Sequence, residues 1–185
     1  VLIQWPLRAH SISECVRRFL VLGHRAVTSR DFSLDDLAGA AGRMDILLNA
    51  ANAALLLAHD IRRDAEADLL LLGPPDPPRL VRILGSRVRS YQPDVRSNAA
   101  LLRKALEYGS RVEREVAPGI VASKVSFAEA LDRLGPPFVL LKEGGKDIRA
   151  TPVPADATFV LSDNQELTPE EERIVLARNP LVIGL

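Results

Sequence analysis

The sequence predicts an α/β domain with a mainly parallel sheet. Apolar strand-like runs alternate along the chain with segments of helical periodicity. The strand-like runs are apolar without strict alternation, which is typical of strands that are buried on both faces. We expect this domain to span residues 17–185. Residues 1–16 show no clear period and contain Pro6, so they are expected to form a loose extension.

The first half of the chain predicts three strands and two helices. The strands are "RRFLVLGH" (17–24), "ADLLLLG" (67–73) and "RLVRILG" (79–85), and the helices span 43–58 and 94–109. The first helix carries apolar residues at three- and four-residue steps, which give it a wide apolar face. "PPDPP" predicts a surface turn, because proline cannot donate a ladder hydrogen bond.

The second half predicts two further helices and three further strand-like runs. The helices span 126–135 and 167–179, and the strand-like runs span 137–145, 157–165 and 180–185. Ser126 is placed to cap the first of these helices, with Glu129 three residues on as in a capping box. Thr168 is placed to cap the other. The stretch "SRVEREVAPGIVASKVS" between the two halves has no readable period.

Composition excludes several classes of protein. The 24 basic and 24 acidic residues balance, so net charge gives no hint of a polyanionic partner. Cys15 is the single cysteine, which excludes an intramolecular disulfide and a cysteine-based zinc site. His10, His24 and His59 have no metal-ligand spacing, and no metal is expected. With no secretion signal and no membrane-length apolar run, a cytoplasmic protein is expected.

Two charged regions are candidates for function. Seven basic residues and one acid, Asp94, fall between positions 79 and 104, which suits a phosphate backbone, although an ordinary solvated face is an equal alternative. The seven are Arg79, Arg82, Arg87, Arg89, Arg96, Arg103 and Lys104. The second region, around Asp60, ends the first helix. Its arginines suit the helix dipole, whereas Asp60 needs a partner, either a neighbouring arginine or Arg43.

Spacing alone favours a structural ion network around Asp60 over catalysis. His24 follows the glycine at the end of the first strand and is interpreted as an incidental loop residue. Neither "LGPPDPP" nor "EGGKD" is a Walker loop or a dinucleotide fingerprint. The residues by themselves therefore indicate an α/β protein with a local basic field.

Several segments, in the same order and spacing, resemble one known family. They are "GRMDILLNAANAALLLAHDIRRD", "LLLLGPPDPPRLVRILGSRV", "QPDVRSNAALLRKAL" and "PGIVASKVSFAEALDRL". They resemble the TrmY family of pseudouridine N1-methyltransferases, in the SPOUT class, over about Arg17 to Leu185. The resemblance implies a carboxyl-terminal trefoil knot, S-adenosylmethionine as the cofactor, a homodimer, and methylation of a pseudouridine in the T loop of tRNA.

The resemblance also implies roles for particular residues. The implied cofactor contacts are Leu141, Ser162, Gly184 and Leu185. Asp60 and Arg43 are implied as catalytic residues, with Asp60 orienting or accepting the proton of the target nitrogen. The expected RNA contacts, drawn from the resemblance and the basic field, are Asp45, Arg62, Arg63, Arg87 and Arg96.

The sequence departs from the family in two places. Family members usually have glycine at the position of Ser162, and they continue beyond "LVIGL" with another loop and a helix. The knot is therefore expected to be incomplete within these 185 residues, and residues 1–15 are expected to lie upstream of the family's usual start. Two alternatives stay open: a SPOUT methyltransferase for another RNA position, such as one in ribosomal RNA, and a non-catalytic RNA-binding SPOUT protein.

Overall fold

The computed structural model describes residues 15–184, which form one sheet of eight strands with four helices. The strands are β1 (Arg17–Gly23), β2 (Ala65–Leu71), β3 (Arg79–Leu84), β4 (Arg114–Ala117), β5 (Ile120–Ser123), β6 (Phe138–Asp147), β7 (Thr158–Ser162) and β8 (Leu181–Gly184). The helices are α1 (Met44–Leu55), α2 (Val95–Leu106), α3 (Phe127–Leu134) and α4 (Pro169–Leu176). Every predicted strand and helix within the described residues is confirmed.

The sheet has the strand order β4-β5-β3-β2-β1-β7-β6-β8. The pairings within β2-β1-β7-β6-β8 are parallel, and those that join β2, β3, β5 and β4 are antiparallel. The predicted mainly parallel sheet is thus a mixed sheet with a parallel part of five strands. β4 and β5 lie in the stretch whose sequence has no readable period. Each has only four residues, which is too short to give a recognisable pattern.

Both faces of the sheet are covered, and β2 shows why its sequence is a run of leucines. Leu69 and Leu71 pack with α1 and α2 on one face, and Leu70 packs with α3 and α4 on the other. All three side chains are fully buried. Burial of each side chain contributes roughly 1.5–3 kcal/mol. β2 therefore stabilises the packing of helices on both faces of the sheet.

The parallel strands give the sheet a carboxyl edge and an amino edge. The carboxyl edge holds Gly23, Gly73 and Ser162, where β1, β2 and β7 end. At the amino edge the Arg17 N–H donates to the Asp64 carbonyl, 3.0 Å away. Seven residues of β2 separate the edges by about 20 Å. Within the described residues, no helix has the length and apolar character to cross a membrane.

Candidate active site

A cleft of about 860 Å³ opens at the carboxyl edge. Its walls are residues 140–144, from β6, and residues 161–167, from the end of β7 and the loop that follows, together with Glu172 of α4. This volume falls within the range of about 300–1,000 Å³ that is usual for small-molecule sites. Ligands of open parallel sheets bind at this edge, beyond the strand ends.

The charged residues of the cleft are mainly acidic. Lys142 is the one base among its lining residues, against four acids, Glu143, Asp163, Glu166 and Glu172. The Lys142 ammonium is ion-paired with the Glu172 carboxylate. Apart from this ion pair, the charged side chains that line the cleft are acidic, so its electrostatic potential favours a positively charged ligand group over a phosphate. Residues 15–184 contain no group of three or more His, Cys, Asp or Glu side chains that could hold a metal ion.

His24 joins the cleft loop to α4. The Asp163 carboxylate accepts the His24 backbone N–H at 2.8 Å, and its other oxygen lies 3.1 Å from Nδ1 of the ring. On the far side of the ring, Nε2 lies 2.9 Å from the Glu171 carboxylate. Because an ionised carboxylate can only accept, this geometry favours a protonated imidazole that donates through both ring nitrogens.

The electrostatics of this bridge agree with its geometry. Burial disfavours the charged ring, but the hydrogen bonds to Glu171 and Asp163 outweigh it and raise the pKa of His24. Burial also disfavours the Glu171 carboxylate, but hydrogen bonds from His24 and Thr168 lower its pKa. The interpretation of His24 as an incidental residue is wrong, since its partners lie 139 and 147 residues away in the sequence.

The structure brings two of the predicted cofactor contacts together. Leu141 and Ser162 both line the cleft. The Ser162 hydroxyl donates to the Gln165 carbonyl, so its own loop holds this side chain. Gly184, the third predicted contact, packs against Gly145 of β6. A Cβ atom on Gly145 would collide with the backbone of β8. Leu185, the fourth predicted contact, lies outside the described residues.

The two predicted catalytic residues lie at opposite ends of α1. At the carboxyl edge, the Arg43 guanidinium donates two hydrogen bonds of 3.0 Å to the Asp45 carboxylate. Asp60 is exposed at the amino edge and lies 3.4 Å from Arg63, which confirms a neighbouring arginine as its partner. The 12 residues of α1 span about 18 Å. One chain therefore does not bring Arg43 and Asp60 together.

A second pocket, of about 550 Å³, gathers arginines at the amino edge. It is lined by the predicted RNA contacts Arg63 and Arg87, with Arg89 beside them. Arg63 is anchored by hydrogen bonds of 3.0 and 3.1 Å to the carbonyls of Gly85 and Val88. Glu115 also lines this pocket and is ion-paired with Arg87, but the three arginines leave a positive excess that suits an anion such as a phosphate.

Other predicted RNA contacts serve the fold as well. Nη1 of Arg62 donates to the Ala54 carbonyl at 3.0 Å, which closes the end of α1. Arg96 is exposed and pairs with Asp35. The prediction of a basic field is too broad, because Arg79 and Arg82 are largely buried. The acidic partner of Arg79 is Asp76, three residues before the field begins, and two partners of Arg82 lie on β2, so the sequence window that defined the field does not contain them.

Arg82 takes part in a charged network on the α3–α4 face of the sheet. It contacts Glu66 at 2.8 Å and Asp68 at 3.0 Å. Asp68 is fully buried, and one of its oxygens has no hydrogen-bond partner among the described residues. Burial raises the pKa of Asp68 to about 7, although the nearby Arg82 favours the ionised form.

The fold and the two pockets define an α/β protein with an acidic cleft at the carboxyl edge of its sheet and a separate arginine-lined pocket at the amino edge. A solved structure with a similar fold is Nep1 of Archaeoglobus fulgidus, bound to S-adenosylhomocysteine. The TM-score is 0.59 with 14% identity, over 93% of this chain and 88% of that one, so this likeness shows the fold alone.

Sequence comparison identifies the family. Residues 16–181 match the family described as "Putative SAM-dependent RNA methyltransferase". The tRNA (pseudouridine(54)-N(1))-methyltransferase of Methanocella arvoryzae is 49% identical over 172 residues, 92% of this chain and 89% of the relative. Its counterpart in Methanocorpusculum labreanum is 44% identical over 163 residues, 85% of this chain and 82% of the relative. The chain belongs to this family, and the resemblance found in the sequence is confirmed.

Proposed function

We propose that the protein uses S-adenosylmethionine to methylate N1 of pseudouridine 54 in tRNA. The observation that carries this proposal is the 49% identity to a relative of that name, over 92% of the chain. The acidic cleft and the arginine pocket support it, because the reaction needs one site for a cationic methyl donor and another for RNA phosphates.

The residues of the cleft fit S-adenosylmethionine. Leu140, Leu141 and Leu161 supply apolar surface for the adenine ring, and the carboxylates of Glu143 and Glu166 suit the sulfonium and ammonium charges. When bound, S-adenosylmethionine supplies an electrophilic methyl group on a positively charged sulfur. The task of the cleft residues is to orient that methyl group and exclude water.

The chain also carries groups for the RNA side of the reaction. N1 of pseudouridine is an imide-like N–H, which must lose its proton as it takes up the methyl group. Asp60 is exposed and can accept or orient that proton, as a general base does. The phosphates are held by Arg63, Arg87 and Arg89. The guanidinium group of one of these arginines stabilises the negative charge that develops on the base.

A homodimer would bring the two sites together. Within one chain, Asp60 and the cleft lie at opposite edges of the sheet, about 20 Å apart. We therefore propose that the amino edge of one copy faces the cleft of the other. We further propose that the chain from β6 onward forms part of a trefoil knot, which is supported by the placement of β8 outside β6 after the chain leaves β7. The proposed location is the cytoplasm, where tRNA is found.

The direct test is methyl transfer by the full-length protein. Two tRNA transcripts that differ only in pseudouridine or uridine at position 54 are incubated with labelled S-adenosylmethionine. The label is expected in the pseudouridine transcript alone, and mass spectrometry of its nucleosides should show N1-methylpseudouridine. With ribosomal RNA as a parallel substrate, label found there instead of in tRNA would reassign the target. RNA binding without any methyl transfer would overturn the enzymatic proposal.

A further inference from the structure

We propose that His24 is a positioning residue of the cofactor cleft. Its protonated ring links Asp163 to Glu171 and thereby holds residues 163–167 in the shape that binds the cofactor. The identity of that cofactor rests on the proposed function, whereas the link itself rests on contacts of the described residues. His24 lines neither pocket, so its effect on the reaction would pass through the loop.

The first half of the link ties the cleft loop to the end of β1. The Asp163 N–H donates to the Leu22 carbonyl at 3.0 Å, and the Asp163 carboxylate accepts the His24 N–H at 2.8 Å. The same carboxylate accepts the Gln165 N–H at 2.8 Å and has no exposed surface. A buried carboxylate with several donors is fixed in place, and the start of the loop is fixed with it.

The second half of the link reaches the start of α4. One oxygen of Glu171 accepts the N–H and the hydroxyl of Thr168, each at 2.8 Å, and also faces Nε2 of His24. The capping box by itself does not require a histidine: α3 has the same box, and its glutamate, Glu129, pairs with Arg111 at the surface. The hydrogen bond between His24 and Glu171 is therefore additional to those of the capping box.

The position of the two carboxylates explains what this addition does. Asp163 and Glu171 bracket the loop, and residues 163–167 all line the cleft, as does Glu172 next to Glu171. The ring thus closes a loop of nine residues across its base, which removes freedom from the segment that faces the ligand. Pre-ordering a binding loop raises affinity because less entropy is lost on binding.

The link depends on the charge of the ring. The groups that face it are the carboxylates of Asp163 and Glu171, and the lysine of the cleft, Lys142, is occupied by Glu172. A neutral ring would turn one nitrogen lone pair toward a carboxylate oxygen. Because the pKa of His24 is raised in the folded protein, the link is complete below the ordinary histidine value and is lost as pH rises through the raised value.

The test is binding of S-adenosylhomocysteine, measured calorimetrically from about pH 6 to about pH 9 with the full-length protein. Wild-type affinity is expected to fall as pH rises through the pKa of His24. His24→Gln should bind about tenfold more weakly at low pH, with the pH dependence largely gone. His59→Gln is the matched control, because His59 is exposed at the other edge of the sheet. It should behave as wild type.

Two further measurements separate positioning from a loss of folding. His24→Arg keeps a positive charge and several donors, so it should restore part of the affinity, now independent of pH. Nitrogen NMR of the wild-type ring should show both nitrogens protonated near neutral pH. A ring with one proton there, or His24→Gln with wild-type affinity and pH dependence, would overturn the positioning role. No binding by wild type at any pH would instead remove the proposed function and this role with it.

Discussion

The two edges of the sheet differ in how they hold their charged groups. At the carboxyl edge, acidic side chains line a cleft, and one of them, Asp163, is hydrogen-bonded to His24. At the amino edge, arginines line a pocket, and Arg63 is fixed by backbone carbonyls. The chain as a whole has no net charge. A neutral total can therefore conceal two local fields of opposite sign, which is why net charge gave no hint of an RNA partner.

Within a single chain, the separation between the edges makes these fields nearly independent. Exposed charges are screened within about 8–10 Å at physiological salt. The edges lie about 20 Å apart along the strands. A cationic methyl donor at one edge and a polyanion at the other can thus each meet a favourable field. Variants at one edge should change one ligand only, and this expectation can be tested edge by edge.

The largest effect is expected from Asp60→Asn at the amino edge. If Asp60 orients or accepts the N1 proton, kcat should fall by a factor of about 10²–10⁴. Affinities for tRNA and for S-adenosylhomocysteine should stay close to wild type, since the amide keeps the shape of the side chain. Single-turnover methylation with saturating cofactor measures the change. Asp31→Asn, another exposed aspartate, is the control. Unchanged turnover in Asp60→Asn would exclude Asp60 from the mechanism.

A smaller effect is expected when two arginines of the amino-edge pocket are removed. Arg87→Ala combined with Arg89→Ala should lower tRNA affinity by about 10- to 100-fold, and the dependence of log Kd on log salt should lose a slope of about 2. Arg63 is left in place because it anchors the chain. Filter binding at several salt concentrations measures both quantities.

The matched control for this pair is Arg111→Ala, an exposed arginine that pairs with Glu129 of α3. It should leave tRNA affinity within a factor of about two. Binding of S-adenosylhomocysteine should be unchanged in all of these variants. An equal loss of cofactor affinity would show that the edges are coupled and would break the comparison between them.

The fold was largely predictable because its strongest signals are local. The leucine run of β2 and the helical period of α1 are visible within windows of 7 to 12 residues. The two four-residue strands β4 and β5 are too short for such a signal. β5 pairs with β3 and with β4, and these pairings depend on tertiary contacts and not on a local sequence pattern.

The site was predictable only in part, and the reason is again distance along the chain. Leu141 and Ser162 are predicted cofactor contacts from the family resemblance, and both line the cleft. The bridge from His24 could not be found, because it joins residues more than a hundred positions apart. Arg82 was misplaced because its acidic partners lie on the neighbouring strand, 14 and 16 residues away in the sequence.

Between the edges, Asp68 makes stability depend on pH. Its pKa is raised to about 7 in the folded protein, so the folded state binds this proton more tightly than the unfolded state does. Its contribution to stability is therefore highest below about pH 4 and falls as pH rises toward about 7. Asp68→Asn should remove this dependence, which is about 2–3 kcal/mol between pH 5 and pH 8. Urea denaturation near pH 5 and pH 8 measures the difference, and an identical pH dependence in the two proteins would contradict it.

The smallest effect compares the two capping boxes. Thr168→Ala and Ser126→Ala each remove the cap of an eight-residue helix, so each should lower the free energy of unfolding by about 1 kcal/mol. Only the α4 cap shares its glutamate with His24. Thr168→Ala should therefore also weaken S-adenosylhomocysteine binding by about two- to threefold, whereas Ser126→Ala should not. Equal cofactor affinity in the two variants, despite equal losses of stability, would mean that the start of α4 does not act on the cleft.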